Sequence, residues 1–96
     1  MSISYTIITT AYTATAGNLI QADTSGGAFT ITLPATASVG DFIEIEDAKL
    51  TWNTSNLTLA RNGLNLNGGT SNYTASVVGN KLSIVYISTS YGWSIK

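Results

Sequence analysis

The feature that most constrains this chain is an alternation of apolar and polar residues with a period of two. Phe29, Ile31 and Leu33 alternate with threonines, and similar runs surround residues 43–45 and 82–86. β-Branched and aromatic residues in this pattern favour strands, because successive side chains of a strand point to opposite faces. No segment shows the spacing of an amphipathic helix. The sequence therefore predicts an all-β fold.

Short segments rich in glycine and asparagine separate the apolar runs. Gly26-Gly27, Asn62-Gly63 and Gly79-Asn80 supply residues that tolerate a positive φ, and Pro34 ends one run. Turn signals recur roughly every 8–12 residues, as in β-sandwiches. We therefore expect an antiparallel β-sandwich or a jelly-roll-like barrel of about eight short strands.

The first residues differ from the rest because they are apolar on both faces. We divide the chain into an N-terminal strand or arm, residues 1–13, and a single β-sandwich domain, residues 14–96. A strand that is apolar on both faces needs cover on both sides. The candidate contacts with a neighbouring subunit or a capsid are Ile3, Tyr5, Ile7, Ile8 and Tyr12. The alternative is an edge strand with some exposed apolar side chains.

Charged residues are scarce. The chain has four basic and five acidic residues, or 9% charged, against about 25% in typical soluble domains. With a net charge of −1 and scattered basic residues, we expect no binding of nucleic acid or membrane. The threonine, serine and asparagine surface costs less to desolvate against protein than a charged one. An ordinary threonine-rich sandwich would also have this composition.

The chain contains neither cysteine nor histidine. Disulfides and the usual structural zinc sites are therefore excluded as sources of stability for a domain of 96 residues. Association of copies is the remaining way in which so small a scaffold commonly gains stability.

Candidates for catalysis are limited to a few carboxylates. Glu44 and Glu46 lie two residues apart in a predicted strand, so their side chains start about 7 Å apart on one face. Such a pair could serve a glycosidase or bind calcium, but its spacing is equally that of a solvated outer face. Without histidine or cysteine there is no ordinary base–nucleophile pair. We predict no enzymatic activity, no catalytic or metal site and no cofactor.

Glycan binding is the main alternative function. Trp52 lies in a polar stretch, residues 51–56, so we expect a loop in which Trp52 is exposed and, with Asn53, contacts a sugar. Trp93 lies in a predicted strand and is expected in the core. Aromatic residues are favoured in all-β proteins in any case.

Several strings resemble a β-rich module of bacteriophage virion structural proteins, of the tail-fibre and head-decoration type. They are ATAGNLI (residues 14–20), ADTSGGAFTITLP (22–34), VGD (39–41), NLTLARNG (56–63) and YGW (91–93). Together they cover nearly the whole of residues 12–95. The resemblance implies a building block or decoration of virions, usually trimeric, and it implies no catalytic residues.

A location and a set of partners follow from this resemblance. In fibres the module is part of a long chain with a shaft, so at 96 residues we expect a capsid decoration (cement) protein acting as a homotrimer. Its partners would be the major capsid protein or other virion proteins, on the outer surface of the particle. The alternative is a tail-fibre or receptor-binding module. The start of the chain resembles no secretion signal, so we expect synthesis in the bacterial host cytoplasm.

Overall fold

The structure is a computed structural model that describes residues 5–96 and contains nine β-strands and no helix in that range. The strands are β1 (Thr6–Ile8), β2 (Tyr12–Thr13), β3 (Leu19–Ala22), β4 (Phe29–Thr32), β5 (Phe42–Asp47), β6 (Leu57–Ala60), β7 (Tyr73–Ala75), β8 (Lys81–Ser88) and β9 (Gly92–Ile95). The predicted all-β class is confirmed. Within residues 5–96, no helix is long and apolar enough to cross a membrane.

The strands form two mixed sheets. The five-stranded sheet has the order β1-β3-β5-β8-β9, and the four-stranded sheet has the order β2-β4-β6-β7. β1, β3 and β5 are parallel, as are β2, β4 and β6, whereas β7, β8 and β9 pair antiparallel with their neighbours. The expectation of an antiparallel fold is therefore wrong, and neither sheet closes into a barrel.

The parallel pairing follows from the path of the chain. From β1 to β6 each pass through one sheet is followed by a pass through the other. Parallel neighbours need a connection that crosses over between them. Here the crossover is a strand of the opposite sheet, so the chain forms three successive coils, β1–β2, β3–β4 and β5–β6. The last three strands then close the fold with antiparallel pairs.

Because of the alternation, apolar side chains of both sheets lie in one core. In β5, Ile43 and Ile45 are buried while Phe42 and Glu44 face outward, as the sequence pattern predicts. Both sheets contribute to one cluster of buried apolar residues. Its largest fully buried members are Trp52, Trp93, Ile20, Ile31, Leu33, Ile43, Ile45, Leu57, Leu59, Leu82 and Ile84.

A buried carboxylate holds two loops together at one end of the fold. Asp47 Oδ1 accepts the Thr51 N–H at 3.0 Å, and Oδ2 accepts the N–H groups of Trp52 at 3.1 Å and Gly79 at 3.0 Å. Burial alone would raise the Asp47 pKa, but the donated N–H groups of Gly79, Thr51, Trp52 and Lys49 bring the pKa below its usual value. The loops after β5 and after β7 are thus joined through one side chain.

This carboxylate predicts a loss of stability in acid. Because the folded pKa of Asp47 is lower than the unfolded value of about 3.9, its stabilisation is present above about pH 4 and is lost as the pH falls through the folded pKa. We expect Asp47→Asn to lower the free energy of unfolding at neutral pH by about 1–3 kcal/mol, because the amide keeps one acceptor oxygen but turns its NH2 group towards at least one of the N–H donors that the carboxylate accepts. In urea titrations the difference between the two proteins should shrink below pH 4. A difference independent of pH would contradict this role.

Candidate assembly surface

Within the N-terminal segment, residues 6–13 form an edge strand of each sheet rather than one long strand. β1 pairs with β3 at the edge of the five-stranded sheet, and β2 pairs with β4 at the edge of the four-stranded sheet. Residues 9–11 carry the chain from one sheet to the other. This change of sheet explains why the segment is apolar on both faces.

The candidate contact residues that the structure describes differ in their surroundings. Ile8 and Tyr12 pack against the core of their own chain, so each finds cover without a partner. Ile7 is 62% exposed. The Tyr5 hydroxyl donates to Glu44 Oε2 at 3.1 Å. Ile3 lies outside the described residues.

The outer face of the five-stranded sheet is polar over one half. The predicted acidic pair lies there, and both of its carboxylates have partners. Besides Tyr5, Glu44 contacts Lys81, with Nζ 3.6 Å from Oε2, and Glu46 Oε1 accepts a hydrogen bond from Gln21 Nε2 at 2.8 Å. The Tyr5 hydroxyl and the Glu44 carboxylate raise the pKa of Lys81. These contacts link β3, β5 and β8 across the face, together with Tyr5, which precedes β1.

The other half of this face is apolar. Phe42 on β5 lies directly opposite Val85 on β8, with Ile87 two residues further along β8 and Leu19 on the neighbouring β3. Phe42 is 46% exposed and Ile87 44%. We call these four residues the outer apolar patch.

A shallow groove of about 310 Å³ continues the outer apolar patch towards β9. Its lining consists of Ser83, Val85, Ile87, Ser94 and Lys96. The surface there is mostly apolar, with neutral hydroxyls and a single amino group from a side chain. Such a surface can pack against protein with little cost of desolvating charges.

The expectation that Trp52 is exposed is wrong. It lies in the loop between β5 and β6, as predicted, but its side chain is fully buried in the core. Of the two predicted glycan contacts, Trp52 and Asn53, Asn53 alone is exposed. A buried indole has no face on which a sugar can stack, so the two residues do not form a glycan-binding pair. Trp93 is in the core as predicted, with its ring 5.3 Å from that of Tyr86 in an edge-to-face arrangement.

The outer apolar patch was missed by reasoning from the sequence, although its signal is present. Phe42, Val85 and Ile87 occupy outward positions of β5 and β8, where the alternation leads one to expect polar residues. An apolar residue at such a position is informative when its cross-strand neighbour is also apolar. The pairing of Phe42 with Val85 cannot be known before the strands are aligned.

Clusters that could bind a metal are absent from the part of the chain that the structure describes. No group of three or more carboxylate, histidine or cysteine side chains lies together among residues 5–96. The chain matches no family model and no curated protein. The resemblance to virion modules therefore rests on the sequence strings alone.

Proposed function

We propose that this chain is a non-enzymatic structural protein of a bacteriophage particle, a capsid decoration (cement) protein that acts as an assembly of copies. The observation that carries the proposal is the outer apolar patch. Large apolar side chains that are exposed side by side on a sheet mark a surface for protein contact. Phe42 and Ile87 are such side chains, in a chain of which only 9% of the residues are charged.

We infer that the two sheets pack face to face as a β-sandwich. One core cluster takes side chains from both sheets, and the molecule measures 35 × 34 × 20 Å. The short dimension fits two sheets about 10 Å apart with their outward side chains. A flat block of this kind offers a broad sheet face to a larger protein.

Decoration would work by adding buried surface across the junctions between capsid subunits. An interface of ordinary size buries about 1,600 Å² in total. The outer apolar patch would supply the centre of such a contact, and the surrounding hydroxyl and amide groups its rim. The resemblance of the strings in residues 12–95 supports the virion setting.

Particle stability tests this proposal. Particles that lack the protein should lose resistance to heat and osmotic shock, and added purified protein should restore it. Phe42→Lys should restore resistance at least tenfold less well, because it buries an unpaired charge in the contact. Val77→Lys is the matched control, since Val77 is 60% exposed in the loop between β7 and β8, outside the patch. Undiminished resistance without the protein, or full rescue by Phe42→Lys, would contradict the proposal.

Recognition of a host glycan by a tail fibre is the weaker candidate. It required an aromatic stacking surface at Trp52, whose side chain is buried in the core. The head-decoration proposal needs only side chains that the structure exposes.

A further inference from the structure

Both sheets end on the same short segment. β1 is the last strand of the five-stranded sheet and β2 that of the four-stranded sheet, and we call residues 6–13 the double edge. The opposite edge of the five-stranded sheet is covered. There Trp93 donates its N–H to Asn65 O at 2.9 Å and accepts the N–H of Asn67 at 2.7 Å.

Backbone groups of the double edge point away from the molecule. Ile8 O accepts the Asp23 N–H at 2.9 Å, so Ile8 is bonded towards β3. Peptide groups of successive strand residues point to alternate sides, and Ile7 therefore directs its N–H and C=O to the open side. Ala14 donates its N–H to Thr32 O at 2.8 Å in the other sheet, so Thr13 faces the open side in the same way.

The double edge lacks several of the features that keep sheet edges apart, although its strands are short, with three residues in β1 and two in β2. Proteins commonly protect an edge strand with a charged residue, a proline or a bulge. Residues 5–13 contain no charged residue, no proline and no glycine. Ile7 adds an apolar side chain that is exposed beside the edge.

We propose that the double edge pairs with the double edge of a second copy of this chain. A two-fold axis perpendicular to both layers places β1 antiparallel to its copy and β2 antiparallel to its copy at the same time. Antiparallel pairing is the more stable mode. Because the segment is uncharged, no like charges meet across the axis. An unrelated partner would have to offer two strands at the spacing of these two sheets, which a second copy does by symmetry.

This inference deepens the proposed function and rests on it for the statement that the chain acts as an assembly. The experiment uses purified protein without particles, so a failure of edge pairing is distinct from a failure of decoration. In sedimentation across a concentration series, the mass should rise from 10.0 kDa to twice that value. A chain that stays monomeric, or forms the trimer that the sequence strings imply, would overturn the proposal.

Proline variants test the edge itself. Ile7→Pro and Thr13→Pro remove an outward N–H without breaking a hydrogen bond among residues 5–96, so each should weaken the dimer at least tenfold. Ile7→Ala is the matched control, because it shortens the side chain and keeps the N–H, and it should still form dimers. A dimer that Ile7→Pro leaves unchanged would show that the contact lies elsewhere.

If a proline variant does not fold, amide hydrogen exchange in the native chain tests the pairing of the double edges instead. The N–H groups of Ile7 and Thr13 should exchange at least tenfold more slowly in a concentrated sample than in a dilute one. The Ile8 N–H, which is bonded towards β3, should show no such dependence on concentration. Exchange at Ile7 and Thr13 that is independent of concentration would contradict edge pairing.

Discussion

Replacing Gly92 by alanine is expected to lower the free energy of unfolding by more than about 4 kcal/mol, which is exceptional for a single methyl group. Gly92 begins β9 with a φ of +75°, where a Cβ costs about 1–2 kcal/mol. The added Cβ would also overlap the backbone carbonyl of Asn65. That segment bonds to Trp93, so moving it would also break the cover of β9.

Two other glycines separate the causes of this effect. Gly63 has a φ of +89° with open space around it, so Gly63→Ala should cost only the backbone strain, about 1–2 kcal/mol. Gly26 has neither a positive φ nor a close neighbour, and Gly26→Ala should be nearly neutral. Urea denaturation of the three variants measures the series. A Gly92→Ala variant no less stable than Gly63→Ala would contradict the close approach of Asn65 to β9.

Trp52→Ala should cost about 3–5 kcal/mol, because it removes a large, fully buried side chain and leaves a cavity in the core. Domains of this kind have only about 5–15 kcal/mol in total, so the variant should be largely unfolded or melt far below the native chain. Trp52→Phe keeps most of the buried ring and serves as the control, with a clearly smaller loss. Thermal unfolding followed by circular dichroism measures both. A Trp52→Ala variant as stable as the native chain would mean that the indole is on the surface.

The strands were predictable because their signal is local. Inward Ile43 and Ile45 and outward Glu44 and Glu46 follow directly from an alternation that holds in any half-buried strand. The sequence of a strand does not show whether its neighbouring strands run parallel or antiparallel to it. A parallel and an antiparallel sheet with one covered face have the same alternation, so the mixed sheets could not be deduced from the sequence.

The error at Trp52 has a physical cause. Its polar neighbours suggested an exposed loop, but their polar groups make hydrogen bonds within that loop and to the segment that follows β3. Thr51 Oγ1 lies 2.7 Å from Thr24 Oγ1, and Asn56 bonds through Nδ2 to Trp52 O. The polar residues around Trp52 therefore find hydrogen-bond partners within the protein, while the ring of Trp52 is buried in the core.

The candidate surface was predictable only in part. The sequence indicated that the N-terminal segment needs cover on two faces, which is true of Ile8 and Tyr12. It could not indicate that both lie against the core of the same chain, because that depends on the change of sheet at residues 9–11. The outer apolar patch joins residues of three strands, so it exists only once the strands are paired.

The central claim is that many copies of this chain coat the outside of a phage head. Electron cryo-microscopy of the purified particle, with and without the gene for this chain, tests it most directly. We predict regularly spaced density, of a size that fits 35 × 34 × 20 Å blocks, over the junctions of capsid subunits, and its loss from the deletion particle. Density confined to the tail, or identical heads in the two particles, would contradict the claim.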